Sequence, residues 1–181
     1  MKLAFDIDGT VADVVTTLTQ RLRTEYYIDL DTIEITCFEF IEKITIPGTA
    51  KFFLEYWYAI MENHWKGILP YAGSEVLYKF QPVTFITARR PVLRQATTDW
   101  IDWFFPQLDY DVWFFRSMEK SGILHDTGFS GIVEDRLKVA NHVAENGLRS
   151  FLVNRSWNMG RYTHPNVIRL NNLKEIIQWV E

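Results

Sequence analysis

Five short, uninterrupted apolar segments recur along the chain, and they constrain the fold more than any other feature of the sequence. Strands that are buried on both faces of a parallel sheet have this continuous pattern, whereas half-exposed strands alternate. Stretches with helical spacing of apolar residues, at 91–105, 136–145 and 172–180, lie between or after the later segments. Strands that alternate with helices predict an α/β fold with a mostly parallel sheet. The five segments are 3–5, 83–86, 112–115, 131–133 and 151–153.

The interval between the first two predicted strands is too long for a single crossover helix. It contains two helix-like stretches, at 14–27 and 49–65, and a β-branched, acidic segment at 29–46 whose pattern does not distinguish a helix from a strand. A core helix at about 72–80 follows them. We therefore expect a Rossmann-like core with a small, largely helical cap inserted after the first strand. The predicted division is a core of 1–12 and 71–181 and a cap of 13–70.

Composition excludes several classes of protein. The chain has 181 residues, 48% of them hydrophobic and 23% charged, which is ordinary for one globular domain. A formal charge of −4 argues against a broad cationic surface for a nucleic acid polymer. The single cysteine, Cys37, excludes an internal disulfide and a cysteine-cluster zinc site. No apolar run is long enough for a membrane span or a signal peptide, so we expect a cytoplasmic protein with no membrane partner.

Polar residues follow four of the five predicted strands, where each strand ends. In an open α/β sheet, ligands bind beyond the carboxyl ends of the strands, so these side chains are expected to converge at one edge. Each signal is weak alone, because an Asp-Gly pair is often only a turn and a single threonine or lysine often only caps a helix or faces solvent. Their combination is more informative. The candidate residues are Asp6, Asp8, Thr87, Arg89, Lys120, Glu134 and Asp135.

These residue types point to phosphoryl chemistry. Clustered carboxylates repel each other unless a cation neutralises them, and oxygen ligands without His or Cys favour a hard ion such as Mg²⁺. A hydroxyl and a lysine are typical phosphate ligands. One carboxylate beside a metal-bound phosphate can act as a nucleophile, and a second one two residues later can protonate the leaving oxygen.

The same motifs resemble those of the haloacid dehalogenase-like phosphohydrolases. Asp6-Ile7-Asp8-Gly9-Thr10 looks like the first motif of that superfamily, and Phe85-Ile86-Thr87-Ala88-Arg89 is similar to the second, a strand that ends in Thr. Lys120 fits the third motif, with Lys138 as the other lysine in the region, and Glu134-Asp135 fits the acidic fourth motif. The order and spacing agree over nearly the whole chain. The insert directly after the first motif resembles the first cap class of the superfamily.

Several details are similar to the 5′(3′)-deoxyribonucleotidase branch of this superfamily. They are the short helical cap, Leu69-Pro70 before the core helix, Glu134-Asp135-Arg136, and Ser156-Trp157-Asn158 after a late strand. Many members of the branch carry two aspartates at the fourth motif, whereas this chain has Glu134 in the first of these positions.

The resemblance implies a role for each candidate residue. Asp6 would be the nucleophile and Asp8 the general acid and base. Thr87 and Lys120 would hold the phosphoryl oxygens, and Arg89 would be a further substrate contact. The implied Mg²⁺ ligands are Asp6, Asp8 through its backbone carbonyl, Asp135, and Glu134 through a water molecule.

The function expected from this resemblance is a Mg²⁺-dependent phosphomonoesterase that uses an aspartyl-phosphate and acts on a small phosphorylated substrate, a (deoxy)nucleoside monophosphate. The alternative is a phosphatase of a sugar phosphate or another small metabolite. A phospho-accepting signalling domain is less favoured, because it has no reason to carry a long cap here. The aromatic rings of the cap would stack a nucleobase or would simply pack the cap's own core. A homodimer is left open.

Overall fold

The computed structural model describes residues 1–27 and 49–180 of the chain. These residues form six strands, six α-helices and short 3-10 segments. The strands are β1 (Leu3–Phe5), β2 (Val83–Thr87), β3 (Tyr110–Phe114), β4 (Gly131–Glu134), β5 (Arg149–Val153) and β6 (Val167–Leu170). The helices are α1 (Val14–Tyr26), α2 (Thr49–Asn63), α3 (Arg94–Phe104), α4 (Lys120–Asp126), α5 (Leu137–Glu145) and α6 (Ile177–Val180).

All six strands belong to one parallel sheet with the order β3-β2-β1-β4-β5-β6. β1 lies in the middle, where Ala4 pairs with Thr84 of β2 on one side and with Ile132 of β4 on the other. The predicted α/β fold with a parallel sheet and flanking helices is confirmed, and each of the five predicted strands is present.

Alternate residues of the central strands β1, β2 and β4 pack against different layers, which explains why these strands are mostly apolar and do not alternate with polar residues. Phe5 and Val133 belong to a large apolar cluster that also contains Trp100 of α3. Ala4 and Ile132 point to the opposite face, into a second cluster with α4 and α5. Since both faces of the sheet are covered, no position in the central strands is left for a polar side chain to face solvent.

Three elements differ from the sequence-based expectation. The prediction missed β6, which lies beside β5 at an edge of the sheet formed by the described residues and whose apolar run is interrupted by Arg169. It also missed α4, whose sequence, with Gly122 and mostly polar residues, carries too short an apolar pattern. The core helix predicted at about 72–80 is a 3-10 segment, Ser74–Phe80, because Gly73 and Pro82 bound it closely on both sides.

The predicted insert leaves and rejoins the core at neighbouring points. Ala12 forms an isolated bridge with Pro70, and the backbone N–H of Asp13 donates to the carbonyl of Leu69. Buried residues of α1 and α2 belong to the same apolar cluster as the sheet, so this part of the chain rests on the core. The segment 29–46 and Cys37 lie outside the described residues, and the division into core and cap stays a prediction.

No helix in the described part of the chain has the length and apolar character that a membrane span requires.

Candidate active site

The sheet order places the ends of β1 and β4 beside a topological switch point. The chain builds the sheet outward from β1 through β2 to β3, and then returns to place β4 on the other side of β1. The crevice beyond such a switch point is where open α/β sheets bind ligands. Asp6 follows β1 directly and Asp135 follows β4, so both carboxylates lie at this crevice.

A buried ion-pair cluster forms there around Lys120, the first residue of α4. The Lys120 ammonium donates to Asp6 Oδ1 at 2.5 Å and to Glu134 Oε2 at 2.8 Å. The other oxygen of Glu134 accepts hydrogen bonds from the backbone N–H groups of Asp135 and Arg136. Glu134 therefore has both carboxylate oxygens occupied, and it fixes Lys120 against Asp6. Lys138, the other lysine considered for this role, is exposed.

Asp6, Glu134 and Asp135 each place a carboxylate oxygen within 4.8 Å of the others. All three residues are buried, and Lys120 is the ammonium group that contacts two of them. When all three carboxylates are ionised, this cluster carries two negative charges more than Lys120 balances. A divalent cation would restore neutrality, and an all-oxygen donor set suits Mg²⁺. The residues present thus fit the predicted metal.

Without a cation, the pKa values of two carboxyl groups in this cluster are raised. Burial raises the pKa of the Asp6 carboxyl to about 7, and the nearby Glu134 adds to the rise while Lys120 opposes it. Burial and the charges of Glu134 and Asp6 raise the pKa of Asp135 well above its usual range. Burial by itself lowers the pKa of Lys120, but the two carboxylates that it contacts outweigh burial and raise it. Without a cation, Asp6 and Asp135 are therefore reluctant to ionise together.

Asp135 is fixed by contacts from the loop after β5. The indole N–H of Trp157 donates to Asp135 Oδ2 at 2.7 Å, and the Asn158 side-chain amide donates to the Asp135 backbone carbonyl at 2.7 Å. Gly9 approaches from the other side with φ +81°, and a Cβ at that position would lie 2.2 Å from Asp135 Oδ2. Only glycine therefore allows the loop after β1 to pack this closely against Asp135.

Asp8 lies in different surroundings from Asp6. Its carboxylate accepts from Arg89 through Nε, at 3.0 and 3.2 Å to its two oxygens, and through Nη2 at 2.6 Å. Thr87 lies at the buried end of β2, and its hydroxyl oxygen accepts the backbone N–H of Arg89 at 3.2 Å. Arg89, predicted as a substrate contact, thus directs its side chain at Asp8.

Asp6, Asp8 and Lys120 line a cavity of about 320 Å³. Arg116, Ser117 and Arg136 contribute polar groups to the same cavity. Apart from Ala88, its apolar lining comes from one face of α2, the second helix of the predicted cap. This face consists of Leu54, Trp57, Tyr58 and Met61.

Sequence reasoning identified the carboxylates, Lys120 and Arg89, but not the side chains that hold Asp135 and Arg89 in place. Trp157 and Asn158 were noted only as part of a branch-level likeness, and the signal that could have found them is their position after β5, the strand next to β4 in the sheet. Thr97, which accepts from Arg89 Nη1 at 3.0 Å, lies within an amphipathic helix and gives no sequence signal of its own.

Solved structures share this fold over nearly the full length of the chain. A candidate phosphoglycolate phosphatase from Lactobacillus plantarum is 14% identical, with a TM-score of 0.63 over 98% of this chain and 97% of that one. A haloacid dehalogenase-like family hydrolase from Streptococcus pneumoniae is 12% identical, with a TM-score of 0.66 over 99% and 97%. CbbY from Rhodobacter sphaeroides, solved with phosphate, is 13% identical, with a TM-score of 0.62 over 97% and 96%.

Comparisons of sequence alone add nothing further, since no protein-family model and no curated protein sequence matches the chain. At 12–14% identity, the structural likeness establishes the fold. This protein therefore shares its fold with these solved structures, which include a haloacid dehalogenase-like family hydrolase.

Proposed function

We propose that the protein is a Mg²⁺-dependent phosphomonoesterase that works through an aspartyl-phosphate. The observation that carries the proposal is the buried cluster of Asp6, Lys120, Glu134 and Asp135 beside a cavity at the switch point of the sheet. Phosphoryl transfer depends mainly on positioning and on charge neutralisation, and this cluster offers a nucleophile, an ammonium group and a site for a divalent cation. The likeness to solved phosphatases supports the same reading.

In the first step, a carboxylate oxygen of Asp6 attacks the phosphorus atom of the substrate. The bond from phosphorus to the ester oxygen breaks, and Asp8 gives its proton to that oxygen, so that the alcohol leaves neutral. Asp6 and Asp8 both line the cavity, which allows them to act on one substrate. The products of this step are the free alcohol, an aspartyl-phosphate on Asp6 and an ionised Asp8.

In the second step, water attacks the phosphorus atom and gives its proton to Asp8. The bond between phosphorus and Asp6 breaks, which releases inorganic phosphate and regenerates the Asp6 carboxylate and the protonated Asp8. Lys120 and Thr87 hold the phosphoryl oxygens in this proposal. Lys120 also keeps Asp6 oriented, through the 2.5 Å hydrogen bond that the two residues share.

Asp6, Asp135 and the backbone carbonyl of Asp8 would hold the metal, with Glu134 acting through water. The occupied oxygens of Glu134 support this indirect role. When bound, Mg²⁺ would withdraw charge from the phosphoryl oxygens and reduce the repulsion between them and Asp6.

Two substrate classes remain candidates. The Trp57 and Tyr58 rings in the cavity wall favour a nucleoside monophosphate, since a base can stack on a ring. The cavity volume of about 320 Å³ is at the lower end of the range for ligand pockets. A small sugar phosphate or another small metabolite fits such a volume as well as a nucleotide does. We propose that the segment 13–70 acts as the cap that selects between them, in an enzyme of the cytoplasm.

The test is hydrolysis of a panel of nucleoside monophosphates and sugar phosphates, measured as inorganic phosphate released. Activity should disappear on chelation, return with Mg²⁺, and be lost in Asp6→Asn. Asp126→Asn is the matched control, because Asp126 is an exposed carboxylate at the far end of α4. Hydrolysis that survives full chelation, or that Asp6→Asn retains, would contradict the proposal.

A further inference from the structure

The side chain of Arg89 binds Asp8 in the candidate active site. Its Nε and Nη2 groups donate to both oxygens of Asp8, which is the bidentate arrangement that fixes the plane of a carboxylate. The Arg89 side chain is only 1% exposed, whereas that of Asp8 is 15% exposed. Arg89 and Asp8 both belong to the cavity wall, where the carboxylate of Asp8 is the more exposed of the two groups.

The protein holds Arg89 in this position from two further sides. Arg89 Nη1 donates to the Thr97 hydroxyl at 3.0 Å, and that hydroxyl donates in turn to the Leu93 carbonyl at 2.8 Å. The Arg89 backbone N–H donates to the Thr87 hydroxyl. Thr97 is fully buried, so the guanidinium group is anchored between α3 and the end of β2 before any substrate binds.

We infer that Arg89 is a positioning residue that acts through Asp8, and that Thr97 fixes Arg89 for this task. The inference rests on the proposed function, in which Asp8 must present the same carboxylate first to the leaving oxygen and then to water. Asp8 follows the short strand β1 within a loop, where backbone hydrogen bonds alone do not fix its side chain. The bidentate contact supplies that restraint.

A role as a direct phosphate ligand fits these contacts less well. To reach a phosphoryl group, Arg89 would have to give up its hydrogen bonds to Asp8 and Thr97 and leave the half-buried carboxylate of Asp8 without this partner. The neighbouring group Lys120 already offers a cation next to Asp6. Arg89 should therefore affect the rate of the chemical steps and not the binding of substrate.

The experiment is a double-mutant cycle between Arg89→Lys and Asp8→Asn, measured with Mg²⁺ on the best alkyl phosphomonoester and on p-nitrophenyl phosphate. Lysine keeps the charge but lacks the planar pair of donors. For Arg89→Lys we expect kcat on the alkyl substrate to fall by about 10- to 100-fold, with KM changed by less than about threefold. In the Asp8→Asn background the same substitution should change kcat very little, because the acid–base group that Arg89 orients is already absent.

Two further variants make the test specific. Thr97→Val removes the hydroxyl without touching the cavity, and it should lower kcat several-fold with KM unchanged; it also serves as the test if Arg89→Lys fails to fold. Arg94→Lys is the matched control, because Arg94 is exposed on the same helix and contacts the carbonyl of Val112 instead. Its kcat should stay within about twofold of the parent protein.

The outcomes separate this inference from the proposed function. A rise in KM with unchanged kcat for Arg89→Lys, or an equal loss in the Asp8→Asn background, would overturn the positioning role while leaving the phosphatase proposal in place. A parent protein that hydrolyses no phosphomonoester with Mg²⁺ would overturn both. Loss of kcat that vanishes in the Asp8→Asn background would establish that Arg89 acts through Asp8.

Discussion

Replacing Trp157 by Phe should weaken Mg²⁺ binding, although Trp157 is not itself a candidate ligand. Its indole N–H donates to Asp135 Oδ2 at 2.7 Å, and both residues are buried. The phenylalanine ring keeps most of the apolar contact but has no donor. In Trp157→Phe, Asp135 keeps its burial and its repulsion from Glu134 but loses a hydrogen bond that favours the carboxylate form.

The size of the effect follows from this contact. A hydrogen bond to a charged group is worth about 1.5–3 kcal/mol, which corresponds to about 10- to 100-fold in the affinity of the metal. Because the bond lowers the pKa of Asp135, its loss raises that pKa further. Metal binding must displace the proton, so the variant should lose more affinity at pH 6.5 than at pH 8.5.

Isothermal titration calorimetry of Mg²⁺ at the two pH values measures this directly and needs no substrate. Trp103→Phe is the matched control, since Trp103 is 60% exposed on α3 and makes no contact with the metal cluster. The reasoning would be refuted by a folded Trp157→Phe protein that binds Mg²⁺ within twofold of the parent protein at both pH values.

Three further predictions follow from the same site. Gly9→Ala should lower the melting temperature, by an amount equivalent to about 1 kcal/mol or more, and abolish Mg²⁺ binding in calorimetry, because its Cβ would meet Asp135 at φ +81°. Burial raises the pKa of Asp6 to about 7, so the folded protein without metal favours the protonated form of Asp6. The contribution of this group to the free energy of unfolding is complete below about pH 4 and is lost as the pH rises through 7. The melting temperature of the chelated protein should therefore fall between pH 5 and pH 8, and an equally large fall in Asp6→Asn would contradict this. Tyr58→Ala should reduce kcat/KM for nucleoside monophosphates by about 5- to 100-fold, the equivalent of one stacked base, and a loss that is equal for sugar phosphates would exclude stacking as the selector.

The sequence predicts the central part of the fold well because consecutive residues are enough to recognise its strands. β1, β2 and β4 are continuous apolar runs, and polar residues mark the point where each one ends. Parallel strands then bring those ends to one edge, so Asp6 and Asp135 come together whatever the details of the intervening chain. β6 escaped prediction because an edge strand is half-exposed, and Arg169 within it breaks the pattern of a buried strand.

The contacts of the site side chains could not be predicted in the same way, because they join distant parts of the sequence. Arg89 and Asp8 are 81 positions apart, and Trp157 and Asp135 are 22 apart. No spacing rule connects such pairs, and only the order of the strands brings them close. The candidate ligands, Lys120 and Arg89 could therefore be named from the sequence, whereas the contact between Arg89 and Asp8 and the contacts made by Trp157 and Thr97 could not.

These distant contacts place the two aspartates of the first motif in different surroundings. Position alone does not distinguish Asp6 from Asp8, since both follow β1 and both line the cavity. Lys120 holds Asp6 from the side of α4 and places it in the buried cluster with Asp135, where a metal and an ammonium group would keep it ionised for attack. Arg89 holds Asp8 on the side of β2 and α3, more exposed and outside that cluster, and in the proposed mechanism Asp8 would exchange protons there with the leaving alcohol and with water. A pair of carboxylates in such unlike surroundings is how one site supports a nucleophile and an acid–base group at the same pH.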